Sequence, residues 1–264
     1  MSVSFFNKKY LWLIILPVWT YAAFWLAQFV ILALQYLLVW LGVPLAGINT
    51  IVFTAVISAV AYTVALLIVI GVPYYLWRKK TTAKDLGAND WPAWMDILLS
   101  PLAFVVYIIA SGIFMAIVTS LLPAIDLNQA QQLPFTQNML GASWHYVLAF
   151  LTLVIIAPLA EELLFRGYLY GKLRKTMPIW ISVLVTSLAF GAAHLWGGPG
   201  SPLQWAVMVD TFVLSIMLCY LREYTGAVWA SVLVHSIKNG LAFYLLFVNP
   251  QIIDQLQAAI LPLL

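Results

Sequence analysis

From Leu11 to Leu41 the chain runs without a single charged side chain. That feature constrains the fold more than any other. A hydrocarbon core of ~30 Å is crossed by about 20 apolar residues in a helix, and within it every backbone N–H and C=O must be satisfied inside the segment. Comparable apolar runs recur at 48–77, 97–122, 145–170, 178–196, 203–221 and 226–248, with a shorter one at 250–264. The expected architecture is an all-α polytopic integral membrane protein. It has seven transmembrane helices plus a short eighth that is partial, re-entrant or interfacial. Pro17 and Gly71-Val72-Pro73 mark kinks or ends. Composition agrees: 64% of the 264 residues are hydrophobic and 8% charged, against about 45–50% and about 25% in soluble domains. An ordinary cytosolic domain, a disordered chain and a nucleic-acid binder are all excluded. Lys8 and Lys9 precede the first run as they would in a secretory signal. That run far exceeds the 7–15 apolar residues of a signal core, so it reads as an uncleaved helix.

The positive charges set the orientation. With the N-terminus inside, ten of the twelve Lys and Arg residues fall in cytoplasmic segments: Lys8, Lys9, Arg78, Lys79, Lys80, Lys84, Lys172, Arg174, Lys175 and Arg222. External loops then hold none, which is the positive-inside pattern. Trp12, Trp40, Trp77, Trp91, Trp94, Trp144 and Trp180 fall near span ends, where indoles favour the interface. The amide-rich segment 123–144 reads as an external loop or an amphipathic helix on the outer leaflet. The lone Cys219 lies in an apolar run and reads as a packed thiol, which leaves no intrachain disulfide and no multi-cysteine zinc site. No repeat or long linker divides the chain. It is read as one membrane domain, with residues 1–144 as scaffold helices and 145–245 as the core.

Seven ionisable groups remain inside the later spans: Glu161, Glu162, Arg166, His194, Asp210, His235 and Lys238. Such groups cost at least ~2.5–3.5 kcal/mol each at a helix centre, so they pair or do chemistry. Glu162 and Arg166 are spaced i,i+4 and meet on one helical face. Glu161 lies about 100° around the helix from Glu162 and is left to face elsewhere. Read structurally, this is an ion pair with a spare carboxylate. Read functionally, the pair anchors the helix and Glu161 is a general base facing a polar cavity. Phe190 and His194, then His235 and Asn239, repeat the i,i+4 spacing. Small Gly191, Ala192 and Ala193 permit close helix approach. Each pair alone could be a polar helix contact. Together they supply a base, a partner histidine and two groups able to donate to an oxyanion, on three helices, which is the composition of a hydrolytic site. Asp210 and Lys238 read as a structural ion pair, with Asp210–Arg166 as the alternative.

Three ordered motifs, Glu161-Glu162-x-x-x-Arg166, Phe190-x-x-x-His194 and His235-x-x-x-Asn239, resemble those of the CPBP family of intramembrane glutamic endopeptidases. That group takes in the CAAX prenyl proteases, bacteriocin-processing proteins and lysostaphin resistance protein A-like proteins. The resemblance covers roughly 145–245. It implies an eight-helix fold opening toward the cytoplasmic side and no cofactor. It implies that Glu161 and His194 activate water, that His235 and Asn239 hold the oxyanion, and that Glu162 and Arg166 support them from behind. Helix arithmetic puts His235 about 14 Å and Glu161 about 15 Å from the cytoplasmic ends of their spans, but His194 about 24 Å. That demands a tilted fifth span or one that starts inside the membrane.

The leading expectation is a metal-independent peptidase in a bacterial plasma membrane, its partners being the bilayer and a membrane-associated peptide or protein. One alternative is zinc held by Glu161, His194 and His235. Another is a non-enzymatic bacteriocin self-immunity protein or small-molecule transporter, although neither inverted repeats nor paired broken helices are evident.

Overall fold

The computed structural model describes residues 8–127, 129, 132–197 and 200–252. Seven helices dominate them: α1 (Lys8–Trp40), α2 (Thr50–Trp77), α3 (Trp94–Leu121), α4 (Ser143–Leu173), α5 (Ile179–Ala193), α6 (Trp205–Thr225) and α7 (Trp229–Val248). Six are long and apolar enough to cross a membrane, and α5 is a shorter apolar helix. The exterior is apolar: Phe29 is 63% exposed, Leu67 65% and Leu102 63%. Ionisable groups such as Glu162 and Arg166 lie inside. That inversion suits a lipid solvent, and the protein is a multi-pass membrane protein. The expected eighth helix lies almost wholly outside the described residues.

Packing gathers the basic loops on one face. Arg174 donates to Glu223 through Nε (2.9 Å) and Nη2 (2.7 Å), Lys175 Nζ stands 2.6 Å from Asp85 Oδ1, and Val228 N–H donates to the Gly87 carbonyl. A short helix at Ala83–Leu86 rests against α4 there. A Cβ on Gly167 would stand 3.1 Å from the Leu86 carbonyl oxygen, and one on Gly171 3.1 Å from that of Asp85. These two glycines, four residues apart, allow that backbone approach.

The described residues of segment 123–142 lie on the opposite face, as irregular chain with a 3₁₀ turn at Gln137–Met139. Of the two expectations this is the loop and not the surface helix. Phe135 and Leu140 are buried among Ile51, Ala149, Phe243 and Phe247, so the segment caps the bundle. Gln132 accepts from Ser201 and Gln129 from the Trp205 N–H, which ties this cap to the loop before α6.

Candidate active site

α4 is not a uniform α-helix. π turns at Leu151–Ile156 and Leu163–Tyr170 flank the α segment Ala157–Glu162 that carries both glutamates. Such π turns recur at functional sites. Pro158 explains part of the first. The Ala157 N–H bonds five residues back to the Thr152 carbonyl. In that register the next N–H would reach Leu153, but proline has none to give. The orphaned Leu153 carbonyl accepts instead from Asn239 Nδ2 at 2.9 Å. Asn239 therefore bonds α7 to the break in α4, and its amide keeps a second N–H.

Glu162 and Arg166 meet as their spacing predicts, at 2.9 Å and fully buried. The same Glu162 Oε1 also accepts from His235 Nδ1 at 2.9 Å. A guanidinium nitrogen lies beside that carboxylate, so the proton of His235 belongs on Nδ1 and Nε2 presents a lone pair. His235 Nε2 in turn stands 3.9 Å from Glu161 Oε2. His194 is arranged alike. Its Nδ1 is 2.8 Å from the Phe190 carbonyl, an acceptor only, and its Nε2 is 3.8 Å from the same Glu161 oxygen. The Phe190 ring packs between these groups, with its centroid 4.7 Å from His194, 5.8 Å from His235 and 4.3 Å from the Arg166 guanidinium.

His194 caps the C-terminus of α5 and reaches Glu161 despite its greater distance along the helix. The connection before α5 is short, and Met177 within it is buried. Gly191 lies against the Met208 carbonyl, where a Cβ would come within 2.9 Å.

Sequence reasoning missed Tyr62, whose hydroxyl donates to Glu161 Oε1 at 2.7 Å from mid-α2. A tyrosine in an apolar run gives no periodic or charge signal, so nothing marked it. It brings one of the first three helices into the site. Asp210 and Lys238 pair at 3.5 Å. Tyr107 and Ser111 of α3 also donate to Asp210, at 2.6 and 2.7 Å, so the cluster joins α3, α6 and α7 and Arg166 has no part in it. Among the described residues, no group of three or more His, Cys, Asp or Glu side chains has the geometry to hold a metal ion.

Glu161 and His194 line a cavity of about 700 Å³ between α1, α2, α4 and α5. Its inner end is buried at Thr20, Leu164 and Phe165, and its outer end is exposed at Trp25, Ala193 and Trp196. On the basic side of Glu161, Tyr21 donates to the Ala189 carbonyl and Trp19 to that of Val69, which clasps α1 to α5 and α2. Phe165 stacks edge-on against Phe190. The mouth lies beside Trp25, Ala193 and Trp196.

Residues 143–241 match the family model described as type II CAAX prenyl endopeptidase, Rce1-like. That segment contains all three motifs and nearly coincides with the expected 145–245. An uncharacterized 24.3 kDa protein of Escherichia coli is 32% identical over 101 residues, which is 37% of this chain and 44% of the relative. The chain thus spans less than half the length of that curated relative. No solved structure matches.

Proposed function

We propose, from the Rce1-like segment and the convergence on Glu161, that this protein is an intramembrane endopeptidase acting on a membrane-associated peptide or protein. The observation that carries the reading is one carboxylate at the floor of a cavity within the helix bundle, bonded by Tyr62 and faced by the Nε2 atoms of His194 and His235. Both imidazoles turn a lone pair toward the carboxylate, so a water there donates while Glu161 accepts its proton. The water oxygen adds to the scissile carbonyl, and its former C=O oxygen becomes the oxyanion. Collapse breaks the C–N bond, and the proton passes to the leaving amine.

The free N–H of Asn239 is the donor available to the oxyanion at the outset. His235 becomes one only when its Nε2 takes up a proton, because its Nδ1–H is already given to Glu162. Glu162 and Arg166 act through His235 by fixing its ring. Substrate reaches Glu161 from the face of the 195–204 loop, past Trp25 and Trp196.

The test is cleavage by purified protein in water enriched in ¹⁸O, read by mass spectrometry of the peptides. One heavy oxygen in each new C-terminal carboxylate is expected, and none with Glu161→Gln. Cleavage by Glu161→Gln at the wild-type rate would overturn the reading.

A further inference from the structure

On the basic face, well away from Glu161, α1, α2 and α4 enclose a second cavity of about 560 Å³. Three lysines line it: Lys79, Lys172 and Lys175. Lys172 interacts electrostatically with both Lys175 and Lys79. The carboxylate that acts on Lys172 is Asp85, and it is already engaged by Lys175 Nζ at 2.6 Å and by the Thr82 N–H at 2.8 Å. The hydroxyls of Thr81 and Thr176 border the same space. Below this cationic rim the walls turn apolar along Ile15 and Leu16, and Ile15 is 40% exposed toward the surroundings of the bundle. Lys79 Nζ rests 4.6 Å from the centroid of the Trp12 ring, at the level where the apolar wall begins.

We propose that this cavity binds an anionic phospholipid of the leaflet on the lysine-bearing face. Like charges gathered around one space repel, and an anion there removes that cost. Ammonium groups and hydroxyls suit a phosphate diester. The apolar wall continuing from the rim suits an acyl chain, a surface that free phosphate leaves unused. Basic pockets between helices on the cytoplasmic side bind lipid headgroups in this manner. The charge bias places this rim on that side.

The test is native mass spectrometry of the full-length protein in detergent, titrated with phosphatidylglycerol or phosphatidylcholine of identical acyl chains. Wild type is expected to prefer phosphatidylglycerol. Each of Lys79→Gln and Lys172→Gln is expected to lower that preference about five-fold, from roughly 1 kcal/mol per basic residue. Lys79→Arg should keep it, because the charge stays, and so should Lys80→Gln, which lies outside the cavity. Equal binding of the two lipids by wild type, or full preference in the Lys79→Gln/Lys172→Gln double variant, would overturn the proposal. Displacement of phosphatidylglycerol by millimolar inorganic phosphate would identify a free-phosphate site and overturn it equally. All these outcomes are read without reference to proteolysis.

Discussion

His235 donates from Nδ1 to Glu162 Oε1 at 2.9 Å, onto the same oxygen that accepts from Arg166. Three buried side chains on α4 and α7 are thereby fixed together, and the ring nitrogen left over is aimed at Glu161. Of two consecutive glutamates, one holds the histidine and the other confronts it. A turn of about 100° between neighbouring helical residues produces that division.

Arg166→Ala is expected to be a stability variant first. It leaves Glu162 as a buried carboxylate without its cation, at a cost of about 3–5 kcal/mol. Membrane accumulation and the detergent melting temperature should both fall, and turnover should fall with them as His235 loses its anchor. An unchanged melting temperature would show that the pair does not hold the bundle.

Tyr62→Phe separates orientation from folding. The hydroxyl is the only atom removed, and a hydrogen bond to a charged group is worth about 1.5–3 kcal/mol. A kcat about ten- to a hundred-fold lower is expected, with KM near wild type and a smaller fall in melting temperature than Arg166→Ala shows. Full turnover would mean that Tyr62 merely packs against the site.

Glu161→Gln and His194→Ala are expected to lose about 10²–10⁴-fold in kcat. Both side chains are partly exposed to the cavity, so folding should survive. Asn239→Ala is a milder case. It forfeits the free N–H and also the bond to Leu153, so both kcat and melting temperature should drop. Loss of kcat alone would mean that the Leu153 carbonyl finds another donor.

The mouth of the catalytic cavity can be located by thiol labelling. Cys219 is buried, so Ala193→Cys supplies the reactive position. A membrane-impermeant maleimide is expected to label it on intact cells and to label Lys80→Cys only in inverted vesicles. The opposite pattern would place the opening on the basic face.

Asp85 offers a pH-dependent check on the basic face. The hydrogen bond from Lys175, followed by that from the Thr82 backbone, holds its carboxyl below the usual carboxylate range. A depressed folded value means that its stabilisation is complete above the unfolded pKa of about 3.9 and fades as pH falls below it. Exposure keeps the effect under about 1 kcal/mol. Asp85→Asn should melt slightly below wild type at neutral pH, and the gap should begin to narrow as pH falls below about 3.9. A gap independent of pH would assign the effect to packing.

Much of this molecule was legible in the residues. Uncharged runs of helical length dictate membrane spans, because lipid leaves the backbone no other partner. The i,i+4 spacing of Glu162 and Arg166 is a local geometric fact, and so their pairing could be read from it. The loop charges likewise sorted themselves to one face. Contacts across sequence distance were decided by tertiary structure alone. Tyr62 reaches Glu161 across 99 residues and Tyr107 reaches Asp210 across 103, and a tyrosine in an apolar helix has no periodic signature of its partner. His235 bonds Glu162, and Asn239 bonds a carbonyl that Pro158 had orphaned, because the way α7 packs on the broken α4 sets which atoms meet. Spacing along one helix fixes direction around that helix only. Which neighbour stands in that direction is a property of the packed bundle.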